Sequence, residues 1–244
     1  MLLRVERIKG LLFDVHDTIV DKGGSAALEC ALDEAAAFWE EAGYPEAAAG
    51  YKKVWRDCIL RGREILAQGR EFSFEEWHRQ IFAGLGIPYS YELAVRLNDR
   101  FMRGFAGRTR PIPGAAEVLG RLARQYRLGV VSNSMAENTL IDLARTGLRQ
   151  YFHVLIISSQ VGYRKPHPVI YLAALQAMNV APEEVVFVGD NWEEDVVGPK
   201  EHGMQAIWLK PAGKEAEEWR FRLPGVAVAG ALEDIPGMLL KPGG

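Results

Sequence analysis

Cysteine is scarce in this sequence. Its 244 residues include two cysteines, Cys30 and Cys58, and neither has the spacing that is typical of metal ligands. A disulfide framework and a Cys/His zinc site are therefore not expected, and reduced, partly buried thiols are the natural interpretation. This usage of cysteine favours a cytoplasmic protein.

Long apolar runs and a strong net charge are also missing. The longest nearly uncharged stretch, around residues 151–163, is too short and too rich in Ser, Gln and His to span a bilayer. Residues 1–9 carry no signal-peptide pattern. With a net charge of -3, the chain has no field that would favour nucleic acid or an anionic membrane, and we expect neither as a partner.

Short apolar runs rich in Val, Ile and Leu recur along the chain and are nearly continuous rather than alternating. Such runs are typical of strands that are buried on both faces of a parallel sheet. Because helical patterns separate the runs, the sequence predicts a doubly wound, Rossmann-like α/β sheet. The predicted strands are residues 10–15, 128–132, 154–157, 185–189 and 205–209, and the predicted helices are residues 115–126, 136–146, 169–178 and 193–202.

One connection departs from this alternation. Residues 23–107 contain four helical patterns, and clusters of Gly and Pro near residues 23–25 and 107–114 bound them. We therefore predict a core domain of residues 1–22 and 108–244, with an inserted helical bundle between them. An insertion directly after the first strand lies over the ligand crevice of an open α/β sheet, so we interpret the bundle as a cap domain.

Side chains within the predicted bundle have conventional interpretations. Tryptophans 39, 55 and 77 fall at helical spacing and are predicted to form the bundle core. Arginines 56, 61, 63 and 70 could place a guanidinium over a ligand, but a solvated helix face is the favoured interpretation. The sequence does not reveal which bundle residues select a substrate.

Acidic side chains follow two of the predicted strands. Asp14 ends the first strand and Asp190 ends the fourth. If these strands are neighbours, the two carboxylates meet at one sheet edge, where their repulsion would require a cation. Hard oxygen ligands with room for water suit Mg²⁺. Asp195 follows near the start of the next helix and could complete the outer shell.

Two further segments add groups that bind anions. Ser132 and Asn133 end the second strand and precede a helix, so they offer a hydroxyl and N–H groups to an anion. Lys165 adds a positive charge on the loop before Pro166, which is predicted to occupy the first turn of a helix.

Taken together, these segments resemble the haloacid dehalogenase superfamily, and specifically its members with a helical cap of the C1 type. The first motif of that family, Asp-x-Asp-x-Thr, is matched by residues 14–18 at all but one position. Ser132 matches the second motif, Lys165 the third, and residues 189–195 the fourth. The resemblance covers roughly residues 10–209.

The resemblance implies covalent hydrolysis of small phosphorylated metabolites. Asp14 would attack the phosphorus and form an aspartyl phosphate, which water would then hydrolyse. Mg²⁺ would offset the negative charge on the nucleophile and on the transferring group. The implied metal ligands are Asp14, the backbone carbonyl of His16, Asp190 and Asp195. Asp195 would also support Lys165. The implied phosphoryl-binding groups are Ser132, Asn133 and Lys165.

His16 departs from the family pattern. In the phosphatases this position carries a second aspartate, which protonates the leaving oxygen and then deprotonates the attacking water. Asp17 cannot replace it, because adjacent residues at a strand end point to opposite sides. Imidazole does acid/base chemistry near neutral pH, but a nearby divalent cation disfavours its protonated form. We therefore predict His16 to be a catalytic base and a poor acid, with weak turnover of alkyl phosphates.

Two alternative functions stay open at the level of sequence. Hydrolytic dehalogenation of a small haloacid needs no acid at position 16, because a halide leaves without protonation. That chemistry uses no metal, whereas residues 189–190 favour one. A degenerate member could instead bind Mg²⁺ and phosphate and serve as an interaction module. The sequence identifies neither the substrate nor the oligomeric state.

Overall fold

The computed structural model describes residues 3–210 and 223–240. Six parallel strands in this part of the chain form one sheet, in the order β5-β4-β1-β6-β7-β8. A separate short antiparallel pair consists of β2 and β3. The strands are β1 (Gly10–Phe13), β2 (Val20–Asp21), β3 (Arg110–Pro111), β4 (Arg127–Ser132), β5 (Val154–Ile157), β6 (Val185–Gly189), β7 (Gln205–Leu209) and β8 (Val226–Ala229).

Helices cover both faces of this sheet and form the inserted bundle. None of the helices in the described ranges is long and apolar enough to cross a membrane. The helices are α1 (Gly24–Glu41), α2 (Pro45–Ala67), α3 (Phe74–Gly84), α4 (Tyr91–Gly104), α5 (Ala115–Leu122), α6 (Ala136–Arg145), α7 (Ser158–Val161), α8 (Pro168–Met178), α9 (Gly198–Glu201) and α10 (Ile235–Leu239).

Burial on both faces explains the continuous apolar runs. In β1, Leu11 and Phe13 belong to one cluster of buried side chains, and Leu12 belongs to the cluster on the opposite face. The backbone of Phe13 lies between Val130 of β4 and Val188 of β6. The structure thus confirms the predicted doubly wound parallel sheet, with β1 in its interior.

Several elements differ from the predictions in their ends. β1 stops at Phe13, because the Val15 carbonyl accepts hydrogen bonds from the N–H groups of Ile19 and Val20 and closes a turn. The helix predicted at residues 193–202 begins as a π-helical segment, Trp192–Val197, before α9. Pro166 precedes α8 and does not form its first turn, which begins at Pro168.

Three short strands were not predicted. β2 and β3 are two residues long, too short for a periodic signal, yet they pair the two chain segments that connect the core to the bundle. β8 extends the sheet with a run in which small alanines weaken the signal for a strand.

The inserted bundle has its own buried core. Trp39 is completely buried there, with its ring 5.1 Å from that of Phe82 in an edge-to-face arrangement. The approach of α1 and α4 is so close that a methyl group on Gly104 would collide with the backbone of Ala31. Ser73 and Glu76 form a capping box at the start of α3.

His78 supplies a test of how tightly the bundle is packed. Its Nδ1–H donates to the Phe74 carbonyl at 2.8 Å, and burial lowers the pKa of His78 to about 4. An unfolded histidine titrates near pH 6.5, so the unfolded chain binds more protons between these values. The free energy of unfolding therefore decreases as pH falls through that window.

We expect the wild type to lose about 2 kcal/mol more stability than His78→Leu when the pH falls from 7 to 5. Urea unfolding at both pH values measures this difference. Identical pH dependence in the two proteins would contradict burial of a neutral imidazole at this position.

Candidate active site

The carboxyl ends of three adjacent strands bring together the predicted site residues. The N–H of Asp14 donates to the Val188 carbonyl at 2.9 Å, which continues the register of β1 against β6. Asp190 follows β6 directly, and Ser132 is the last residue of β4 on the other side of β1. This edge of an open parallel sheet is the usual place for a ligand.

Three carboxylates form a compact cluster at this edge. Ligand oxygens of Asp14, Asp190 and Asp195 lie within 4.8 Å of one another. The Thr18 hydroxyl is placed to donate to Asp14 Oδ2 at 3.3 Å or to Asp190 Oδ1 at 3.4 Å. A hydroxyl carries one proton and can serve only one carboxylate at a time. The cluster therefore needs further positive charge.

Lys165 supplies part of that charge from a buried position. Only 1% of its side chain is exposed, and Nζ donates to Asp14 Oδ1 and to Asp195 Oδ1, both at 2.7 Å. Burial alone would lower the pKa of Lys165, but attraction to the two carboxylates outweighs it and raises that pKa. The ammonium group therefore stays charged.

The side chain of Asp195 is as deeply buried as that of Lys165, with 1% exposed. Burial raises the pKa of Asp195, an effect that its ion pair with Lys165 and its hydrogen bond from the N–H of Asn191 oppose. We assign the ionised form, because both groups around the carboxylate donate to it. A methyl group on Gly189 would collide with this side chain, which explains the glycine before Asp190.

Charge and ligand chemistry at the cluster fit a hard divalent cation. Three carboxylates face one ammonium group, so Mg²⁺ would bring the cluster near neutrality. Glu194 precedes Asp195 in the chain, and burial raises the pKa of its carboxyl group more than the nearby charges of Lys165 and Arg164 lower it. The sequence interpretation did not include Glu194.

Asn133 connects the second and third motif segments. Its side-chain Nδ2 donates to the Lys165 carbonyl at 3.0 Å, and its Oδ1 accepts from the Lys165 N–H at 2.7 Å. The amide thus holds the backbone that carries the buried ammonium. Ser132 is also buried, with 1% of its surface exposed, at the end of β4.

His16 is directed toward a carboxylate that the sequence interpretation missed. His16 Nε2 lies 3.0 Å from Oδ2 of Asp142, a completely buried residue of α6. Burial alone would raise the pKa of Asp142, but the hydrogen bond from His16 and the charge of Lys22 outweigh it and lower that pKa. An ionised carboxylate only accepts hydrogen bonds, so Nε2 carries a proton that it donates.

Lys22 shares the same carboxylate oxygen. Its Nζ lies 3.2 Å from Asp142 Oδ2, and it also lies over the ring of Phe105, 4.5 Å from the centroid. Asp142 therefore joins the loop after β1 to the connection into the bundle. A carboxylate on the buried face of α6, three residues after Thr139, is the sequence signal that could have revealed it.

A cavity of about 370 Å³ lies between the bundle and the core beside this site. Asn133 and Arg164 line it from the core, and Trp55 and Trp77 line it from the bundle. The prediction that the three bundle tryptophans form its core holds fully for Trp39, whereas Trp55 and Trp77 pack against that core and also line the cavity. Arg164 supplies the guanidinium, whereas arginines 56, 61, 63 and 70 are exposed.

Similarity to known proteins now identifies the family. The sequence model of the haloacid dehalogenase-like hydrolases matches residues 8–203. The chain belongs to this family. The match confirms the resemblance that the ordered motifs indicated, and it makes the protein a haloacid dehalogenase-like hydrolase.

Relatives of this hydrolase act on different substrates. The chain is 30% identical to pyrimidine 5'-nucleotidase YjjG of Escherichia coli (strain K12), over 85% of this chain and 88% of that protein. It is 37% identical to a glyceraldehyde 3-phosphate phosphatase of Pyrococcus abyssi, over 83% of this chain and 82% of that protein. A 2-haloacid dehalogenase from Pseudomonas syringae pv. Tomato DC3000 is similar in structure, with a TM-score of 0.75, 27% identity and coverage of 95% and 98%.

Removal of the Lys165 ammonium tests how much the cluster depends on it. We expect Lys165→Met to lower the free energy of unfolding by about 3 kcal/mol or more, because it leaves buried carboxylates uncompensated. Chemical denaturation measures this loss. Adding Asp195→Asn to Lys165→Met should restore part of the stability.

Lys52→Met is the matched control, since Lys52 also contacts two carboxylates, those of Glu29 and Asp33, but at the surface. Its loss should stay within about 1 kcal/mol. Equal losses in the two variants would contradict a dominant role of burial.

Proposed function

We propose that this hydrolase is a Mg²⁺-dependent phosphatase of small phosphorylated metabolites, which acts through an aspartyl phosphate on Asp14. The observation that carries the proposal is the cluster of Asp14, Asp190 and Asp195 against the buried ammonium of Lys165. We further propose that residues 23–107 act as a cap domain, which shields the reaction from water and selects the leaving group.

Asp14 is suited to nucleophilic attack. Its Oδ1 faces Lys165 and its Oδ2 faces Thr18, so the carboxylate is held in one orientation. A carboxylate oxygen would form a bond to phosphorus as the bond to the leaving oxygen breaks, and that oxygen would take its proton from water to leave as an alcohol. Water would then attack phosphorus and release inorganic phosphate, which regenerates the carboxylate of Asp14.

The remaining groups at this edge have supporting roles in the proposal. When bound, Mg²⁺ would reduce the repulsion between the nucleophile and the phosphoryl oxygens. Its ligands would be Asp14, the His16 backbone carbonyl and Asp190, with Asp195 in the outer shell. Lys165, the Ser132 hydroxyl and the Asn133 backbone would bind phosphoryl oxygens, while the Asn133 side chain positions Lys165.

His16 occupies the position of the missing acid. Asp142 accepts a hydrogen bond from its Nε2–H, so in the neutral imidazole Nδ1 is the nitrogen that can accept a proton. An imidazole held in this way can accept a proton from water. We propose that the first step therefore depends more on the leaving group than it does in relatives with an aspartate.

Hydrolytic dehalogenation is the second candidate, because a 2-haloacid dehalogenase has a similar structure at 27% identity. That reaction needs a carboxylate nucleophile and no metal. The three carboxylates within 4.8 Å favour phosphatase chemistry over it, since a cation site serves no purpose in displacement of a halide. Phosphatase names among the relatives with up to 37% identity point in the same direction.

The nucleophile is tested by Asp14→Asn. We expect phosphate release from nucleoside monophosphates and triose phosphates to fall by roughly 10³-fold or more, because the covalent step is lost. The same activity should disappear in the presence of a chelator and return with added Mg²⁺. A colorimetric phosphate assay over a panel of phosphomonoesters measures both effects.

Asp17→Asn is the matched control, since Asp17 is exposed, three residues away, in a left-handed conformation that asparagine tolerates. Its activity should stay near that of the wild type. Phosphate release that survives in Asp14→Asn would refute the mechanism, and halide release from a haloacid in chelator would favour the dehalogenase.

The departure at position 16 is tested by His16→Asp. General acid catalysis contributes about 10²–10⁴-fold, so we expect the substitution to raise turnover of alkyl phosphates by 10-fold or more, and of aryl phosphates by less. Steady-state kinetics on one ester of each kind measures the ratio. If the substitution abolishes turnover of alkyl phosphates, His16 is itself the working acid.

A further inference from the structure

Aromatic side chains form one continuous wall of the cavity between the bundle and the core. In order along the wall they are Phe72, Trp77, Trp55, Phe101 and Phe105. Neighbouring ring centroids are 6.3, 6.2, 6.4 and 5.5 Å apart, which are contact distances for aromatic pairs. Five rings in sequence give the cavity a surface that favours planar apolar groups.

This wall lies where a leaving group would extend. Asn133 lines the cavity and also clamps Lys165, whose Nζ contacts Asp14 at 2.7 Å. In an in-line displacement the leaving oxygen is opposite the nucleophile. Asp14 belongs to the core, so the alcohol portion of a phosphomonoester extends toward the bundle and its aromatic wall.

The size of the cavity also distinguishes between classes of alcohol. Its volume of about 370 Å³ is comparable to pockets that hold drug-sized ligands. A three-carbon alcohol would fill a fraction of this space and would leave most of the aromatic wall uncovered. An aromatic ring would pack against the wall by stacking or edge to face, an interaction that tolerates many ring chemistries because every such ring has a π-face.

Polar side chains also line the cavity, and Asn138 is one of them. Arg164 and Glu71 also line the cavity, with Arg164 Nη1 3.8 Å from Glu71 Oε2. A ring with a hydrogen-bonding edge would pack against the aromatic side chains and hydrogen-bond to the polar ones.

We infer that the leaving alcohol of the substrate carries a planar aromatic or heteroaromatic ring, which packs against the aromatic wall at Trp55 and Trp77. This inference rests on the proposed phosphatase function and names the substrate class of the same site. Phosphate esters of nucleosides and of aryl-substituted alcohols belong to this class; esters of small aliphatic alcohols do not.

A matched pair of esters isolates the ring from the acidity of the leaving group. Benzyl phosphate and cyclohexylmethyl phosphate release primary alcohols of similar size, and only the first has a π-face. We expect kcat/KM to be about 10-fold or more higher for benzyl phosphate, equivalent to about 1.4 kcal/mol. Trp77→Leu should reduce this ratio toward unity, whereas Tyr91→Leu, at an exposed aromatic of α4, should preserve it.

Binding to the Asp14→Asn variant, measured by isothermal titration calorimetry, separates the inference from the reaction. If both esters are hydrolysed equally, the aromatic class is wrong and the phosphatase function stands. If neither is hydrolysed but benzyl phosphate binds about 10-fold more tightly, the cavity assignment stands and the proposed function fails. If neither ester is hydrolysed and neither binds more tightly, both the aromatic substrate class and the phosphatase function are wrong. The ratio of kcat/KM for the two esters in the wild type tests the inference even if Trp77→Leu does not fold.

Discussion

The contact of the Lys165 ammonium with Asp14 and Asp195 is the interaction on which the rest of the site depends. Without a buried positive charge, the buried carboxylates of Asp14 and Asp195 would repel each other with nothing to compensate them. Several local features serve this contact. Asn133 holds the lysine backbone, and Gly189 leaves space for the side chain of Asp195.

A second buried carboxylate, that of Asp142, organises the loop after β1. His16 contacts Asp142, which is not one of the three clustered carboxylates, and Asp142 also contacts Lys22 at the connection to the bundle. A single buried carboxylate therefore organises both the residue that replaces the second aspartate and the start of the insertion. Chemistry at position 16 and the placement of the bundle are physically connected through one side chain.

The sequence predicts the parts of this structure that follow from strand ends and chain order. Asp14 and Asp190 were predictable because each follows a buried apolar run, and such ends meet at one edge of a parallel sheet. The place of Asp142 on the buried face of α6 was also readable, but its contact with His16 was not, because that contact depends on how α6 packs against the loop. Likewise, helical spacing assigns Trp55 to an apolar face but does not say whether that face meets helices or a cavity.

The bundle also touches the core through the backbone. The N–H of Glu71 donates to the Gly162 carbonyl at 3.0 Å, and the N–H of Arg164 donates to the Gly69 carbonyl at 2.8 Å. Side chains add to this contact: Ser158 Oγ donates to Glu71 Oε2 at 3.0 Å, and Arg145 donates to the Met102 carbonyl. Separation of the bundle from the core would have to break these hydrogen bonds together, so the whole set, and not one bond of it, holds the position of the bundle.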